Sequence, residues 1–197
     1  MRINFTGDSF CYKGGMDDDR PNSDIAWTTL LADKLGASII GLGRSGSSHE
    51  HVFKTFNSSA DINVICWTEP QRLYHDHYPT SLNMAESRKE MSKYYQAVYD
   101  YYKYIHNPHM AEERYKRDLY WFDHTVLANY EGLAVNLFSF SNRLYKFTHG
   151  INDFRTPLNT LRSVPFEKQP DEVANHFTVE QNAEFAGWMY DLIKKYL

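Results

Sequence analysis

Over residues 1–70, short runs of apolar residues alternate with segments in which apolar positions recur every three or four residues. Arg2 to Thr6 is expected as a strand that runs into a turn. Ser23 or Asp24 suits the N-cap of a helix whose apolar positions Ile25, Trp27, Leu30, Leu31 and Leu35 share helical spacing, and Gly36 suits its end. Ala37 to Leu42 reads as a buried strand, followed by the Gly- and Ser-rich turn Gly43 to Ser48 and a second helix from about Ser48 to Phe56. Ile62 to Trp67 is apolar without alternation, the pattern of a strand covered on both faces. Strands separated by helices at this spacing predict βαβ units and a parallel sheet, hence an α/β fold.

The pattern changes in the middle of the chain. Ser81 to about Tyr130 reads as two helices broken near Asn107-Pro108, crowded with Tyr94, Tyr95, Tyr99, Tyr101, Tyr102, Tyr104, Tyr115 and Tyr120. Leu133 to Phe140 is expected as a fourth strand. Asn142 to Pro170 has little periodicity and carries three prolines beyond Gly150, so a long surface loop is expected there. A last helix from Thr178 to about Tyr196 puts Phe185, Met189, Leu192 and Ile193 on one face. Without repeats or a low-complexity linker, residues 1–197 are expected as one domain carrying a Tyr-rich helical insertion at about 81–130.

Composition narrows the function classes. Hydrophobic residues at 42% and charged residues at 23% are an ordinary globular balance. A net charge of −4 provides no basic footprint for nucleic acid. No apolar run approaches the roughly 20 residues of a membrane span. The N-terminus lacks the apolar stretch of a signal peptide, so a cytoplasmic or virion- or particle-associated product is expected. Cys11 and Cys66, the only two cysteines, read as small buried hydrophobes rather than a disulfide framework. The 15 Tyr and 12 Phe fit either a Tyr-rich core and surface or a stacking wall for a sugar.

In an open parallel sheet the ligand site lies outside the carboxyl ends of the strands. The informative residues are therefore Gly7, Asp8 and Ser9 after the first strand, Gly43, Gly46 and Ser47 after the second, and Thr68, Glu69 and Arg72 after the third, with His176 just before the last helix. A serine becomes a nucleophile when a base takes its proton, and histidine is the usual base. Glycine turns let backbone N–H groups approach a developing oxyanion closely. Asp8 reads as a residue of the turn rather than the acid partner, because adjacent side chains point apart.

Phe5-Thr6-Gly7-Asp8-Ser9 resembles block I of the SGNH/GDSL hydrolase superfamily, and Gly41-Leu42-Gly43-Arg44-Ser45-Gly46-Ser47 resembles its block II. Asn175-His176-Phe177-Thr178 is similar to block V. The resemblance implies a three-layer α/β/α sandwich with a mainly parallel, flavodoxin-like sheet and ester hydrolysis without a cofactor. It assigns Ser9 as nucleophile, His176 as base, and the N–H groups of Ser9 and Gly46 (or Gly43) as oxyanion donors. The substrate it implies is a small-molecule or carbohydrate ester, an O-acetyl sugar suiting the aromatic content.

Two positions depart from that family's pattern. The asparagine of block III is missing from Cys66-Trp67-Thr68-Glu69-Pro70, which leaves Thr68 or Arg72 as the replacement donor. The block V aspartate position holds Val173, so Asp171 or Glu172 would orient His176, or a backbone carbonyl would. These departures keep a second reading open, a binding or structural protein that retains the fold. A third reading rests on His49 and His51, His75 and His77, and His106 and His109 as metal ligands, but no clustered carboxylate completes a set. No metal is expected.

Overall fold

The computed structural model describes residues 1–11, 26–76, 81–139, 144–153, 177 and 179–197. Strands β1 (Arg2–Gly7), β2 (Ser38–Gly41), β3 (Ile62–Trp67), β4 (Leu133–Phe138) and β5 (Ile151–Asn152) form one sheet in the order β2-β1-β3-β4-β5. Every pairing is parallel. This is the flavodoxin-like order, whose chain reverses its direction of travel between β1 and β3.

All six residues of β3 are buried, which accounts for apolar residues at every position but Asn63. Ile62, Val64 and Cys66 face a core shared with Ile3, Phe5, Trp27, Leu31, Phe185 and Met189, the last four from α1 (Trp27–Leu35) and the C-terminal helix Val179–Ile193. Ile65 and Trp67 face the other layer with Val52 of α2 (His49–Thr55) and Tyr115 and Leu119 of the helix Pro108–Trp121. Helices therefore cover both faces, as three layers require. Each fully buried side chain of this size contributes roughly 1.5–3 kcal/mol, so a strand buried on both faces holds the sheet more firmly than an alternating one.

On β1 the second face is polar. Asn4 Nδ2 donates to Asn63 Oδ1 at 2.7 Å and to the Thr55 carbonyl at 3.1 Å. Asn63 Nδ2 donates in turn to the Asn57 carbonyl at 2.9 Å, and the hydroxyls of Thr6 and Thr55 hydrogen-bond each other. Buried side-chain amides need such partners. Here they form a polar seam joining β1, β3 and the end of α2.

The insertion differs from the two helices expected. Residues 82–121 form three: α3 (Leu82–Arg88), α4 (Lys93–Tyr104) and α5 (Pro108–Trp121). The unforeseen break is held by Ser92, whose hydroxyl accepts from the Tyr95 N–H at 3.3 Å. The foreseen one has Asn107 as N-cap, accepting from Met110 N–H at 3.2 Å, with Pro108 in the first turn. Tyr95, Tyr102 and Tyr115 are buried whereas Tyr104 and Tyr120 are exposed, so the tyrosines divide between packing and surface. The C-terminal helix is α6 (Val179–Ile193). The proposed N-caps Ser23 and Asp24 lie outside the described residues.

Strand β5 lies within the stretch expected as loop. Its approach is fixed by Asp123, in the π-helical turn Phe122–Val126 that extends α5. The fully buried Asp123 carboxylate accepts from Thr148 N–H (2.7 Å), His149 N–H (3.0 Å), Tyr145 hydroxyl (3.0 Å) and the His149 ring (3.1 Å). Burial pushes its pKa up, but these hydrogen bonds outweigh it and hold the carboxyl below its ordinary value. A carboxyl lowered in this way contributes stability above its unfolded value and loses it as pH falls through the folded one. Asp123→Asn is expected to cost about 1.5–3 kcal/mol at neutral pH. In thermal melts between pH 3 and 7, the gap to the unaltered protein should close below about pH 4. A gap that stays constant across that range would show that the carboxylate's charge is irrelevant.

Candidate active site

Gly7-Asp8-Ser9 sits at the carboxyl end of β1, where the turn geometry demands glycine. Gly7 has φ +128°, and a Cβ there would stand 2.1 Å from the Cys66 carbonyl oxygen. Asp8 follows, fully buried, and a one-turn 3-10 helix Ser9–Cys11 begins. Asp8 closes that turn twice: its carbonyl accepts from Cys11 N–H at 3.0 Å and its Oδ1 from Phe10 N–H at 3.1 Å. The Asp8 side chain thus goes inward, and Ser9 remains 9% exposed at the sheet edge.

The turn after β2 is sewn to this one. Gly43 N–H donates to the Cys11 carbonyl at 2.8 Å, and Arg44 N–H to the Gly7 carbonyl at 2.9 Å. Ser47 Oγ donates to the same Gly7 oxygen at 2.7 Å. The Gly43 N–H is therefore committed within the fold, and a Cβ on Gly43 would meet the Asp8 carbonyl at 2.6 Å. Gly46 adopts φ +68° in the same turn.

After β3, Thr68 is 3% exposed and its hydroxyl has no hydrogen-bond partner among the described residues. Leaving such a group unpaired costs roughly 1–3 kcal/mol. Arg72 is buried as well. Its Nη1 lies 3.6 Å from Asp8 Oδ2 and donates to the Ser47 carbonyl at 3.3 Å, while Nε is 3.9 Å from Glu69 Oε2. One guanidinium thus links the turns after β1, β2 and β3, and Glu69 is engaged with it. The insertion reaches the same corner: Tyr102 on α4 donates to the Gln71 carbonyl at 2.7 Å, and burial pushes its phenol up to about 12.

A residue not anticipated from the sequence completes this corner. Ser139, one position past β4, lies with Oγ 2.6 Å from Asp8 Oδ2 and is fully buried. Nothing in Phe138-Ser139-Phe140 sets it apart, although its place immediately after a strand was a usable signal.

His176, Asp171 and Glu172 lie outside the described residues. Phe177 is described, and its ring meets that of Phe10 with centroids 5.5 Å apart. Asn182 Nδ2 of α6 donates to the Phe177 carbonyl at 3.3 Å, and Trp27 Nε1 donates to the Phe10 carbonyl at 2.6 Å. The residue after Ser9 and the residue after His176 are thereby in contact.

His49 is buried with Nε2 3.2 Å from Asp118 Oδ2, and its ring lies 4.8 Å from that of Tyr115. The pKa of His51 is lowered by burial and by the charges of Arg44 and Lys54. His75 contacts Tyr94, His106 contacts Tyr101 and Tyr102, and His77 lies outside the described residues. Among the described residues no three His, Cys, Asp or Glu side chains come together as a metal-binding group. Cys11 and Cys66 are free, buried thiols, and that of Cys66 is pushed up by its hydrogen bond to Cys11 and by burial. No described helix is long and apolar enough to cross a membrane.

No family model matches the chain, and no curated protein does. Among solved structures it is similar to a protein assigned to the G-D-S-L lipolytic family from Desulfitobacterium hafniense DCB-2, at 11% identity and a TM-score of 0.44, over 96% of this chain and 98% of that one. A likeness at that level leaves the functional reading to the residues themselves.

Proposed function

We propose that this chain is a serine esterase in which Ser9 is the nucleophile and His176 the base, acting on a carboxylic ester, with O-acetyl carbohydrate as the substrate class. The observation that carries the proposal is the contact of Phe10 with Phe177, which brings the chain next to His176 up to the turn that holds Ser9. That turn lies beside Thr68 where the sheet order reverses between β1 and β3, the usual ligand position of such sheets.

In the proposed reaction Ser9 Oγ attacks the ester carbonyl as His176 takes its proton. The tetrahedral oxyanion is held by the N–H groups of Ser9 and Gly46 and by the Thr68 hydroxyl, which is buried and without a hydrogen-bond partner among the described residues, in keeping with that role. Collapse expels the alcohol, protonated by His176, and water then attacks the acyl-enzyme with His176 again as base. Asp171 or Glu172 would fix the imidazole. The ion pair of Arg72 with Asp8 and its bond to the Ser47 carbonyl favour a bracing role for Arg72, with Thr68 as the replacement donor. No cofactor enters the scheme. The carbohydrate assignment draws on the aromatic insertion, whose Tyr102 reaches the site's corner.

A fluorophosphonate probe tests the reading. Mass spectrometry of labelled, folded protein should place one adduct on Ser9, and acetate should be released from an acetylated xylo-oligosaccharide. Folded protein that takes up no label at Ser9 refutes the proposal and leaves the fold with a binding or structural role.

A further inference from the structure

Asp8 is a fully buried carboxylate next in sequence to the proposed nucleophile, and the reaction scheme gives it no task. Its surroundings come from three strand ends. Oδ1 accepts from Phe10 N–H inside its own turn, Oδ2 accepts from Ser139 Oγ beyond β4, and Arg72 Nη1 from the segment after β3 stands 3.6 Å from Oδ2. Ser139 is itself anchored, its N–H donating to the Trp67 carbonyl at 2.9 Å. Its hydroxyl has a single proton, and its neighbours are Asp8 Oδ2 at 2.6 Å, the Trp67 carbonyl at 3.1 Å and the weakly accepting Cys66 sulfur. The carboxylate is both nearer and charged, and charge-assisted hydrogen bonds are the shorter and stronger kind, so the proton goes to Asp8.

We infer that Ser139 is a positioning residue for the reaction: through Asp8 it fixes the 3-10 turn and so sets the direction in which Ser9 presents its hydroxyl and N–H. The inference rests on the reading of Ser9 as nucleophile. A misplacement of about 1 Å costs on the order of a hundredfold in rate, so a hydroxyl that never touches substrate can still govern turnover. Because Ser139 acts through Asp8 and lies one strand beyond the β1–β3 crevice, its loss lowers kcat and leaves KM unchanged. It also predicts coupling, since removing the Ser139 hydroxyl after the Asp8 charge is gone has little left to disturb.

The test compares the native protein with Ser139→Ala, Asp8→Asn and the double variant, each checked by circular dichroism and thermal melting. The readouts are the rate constant of fluorophosphonate labelling at Ser9, and kcat and KM for acetyl-ester hydrolysis. Ser139→Ala is expected to slow labelling and kcat about tenfold at unchanged KM, with the double variant no slower than Asp8→Asn alone. Should Ser139→Ala lose its fold, Ser139→Cys keeps the volume with a weak donor, and an intermediate loss is expected. Labelling of Ser139→Ala at the native rate, a change confined to KM, or multiplying effects in the double variant would each overturn the inference while leaving Ser9 as nucleophile. A native protein that never labels removes the esterase reading first, and this inference with it.

Discussion

Ser9→Ala is expected to abolish fluorophosphonate labelling and to lower ester hydrolysis by at least about a thousandfold, with little change in melting temperature. The size follows from what remains: an oxyanion site and bound substrate without an attacking atom. The stability expectation follows from the turn, which is closed by the Asp8 carboxylate and carbonyl with Phe10 and Cys11 N–H rather than by the Ser9 hydroxyl. His176→Ala should fall by a comparable factor, and the double variant should be no worse than either, since nucleophile and base act as one unit. Initial rates on an acetyl ester, corrected for spontaneous hydrolysis, settle the matter. Undiminished hydrolysis by Ser9→Ala would transfer the chemistry to another residue.

The second large effect concerns stability. Gly7→Ala is expected to cost at least about 3 kcal/mol, combining a side chain at positive φ with a clash. For a chain of this length that lowers the melting temperature by roughly 6–12 °C. The obstacle is rigid: the added Cβ would meet the Cys66 carbonyl oxygen at 2.1 Å, and Gly7 pairs with Cys66 in the β1–β3 ladder. Relief would require opening the sheet beside the proposed nucleophile. Gly187→Ala is the contrasting control. Gly187 lies in α6 with nothing within 4 Å of an added Cβ, so alanine there should stabilise by roughly 0.5–1 kcal/mol. Equal melting temperatures for the two variants would show that the turn yields freely.

These two glycines also show what a sequence makes legible. The fold could be read because β3 is apolar on both faces at every position but Asn63, and α1 and α6 repeat at helical spacing, so burial itself writes the pattern. The break between α3 and α4 left no such trace. It falls at Met91-Ser92 without glycine or proline, and the cap at Ser92 is one hydroxyl among several in a helical stretch. Strand β5 went unseen because two residues are too few to show any period. Within the site, Gly7, Ser9 and Thr68 were marked by their place after strands. Ser139 and the partners of Asp8 were not, since their meeting depends on a fold that joins residues 8, 72 and 139.

The amide seam between Asn4 and Asn63 carries a consequence for how the chain avoids wrong pairings. Apolar side chains tolerate sliding far better than two buried amides do, because a displaced amide is left without its partner. A slip of β1 along β3 by one residue would turn Asn4 into the apolar core that Ile3 and Phe5 now fill, leave Asn63 without its partner and move Gly7 away from Cys66. The seam thus works as an alignment key. It makes the register that places Ser9 at the carboxyl edge of the sheet the one in which Asn4 and Asn63 are matched, so the position of the proposed nucleophile is decided by residues outside its proposed chemistry.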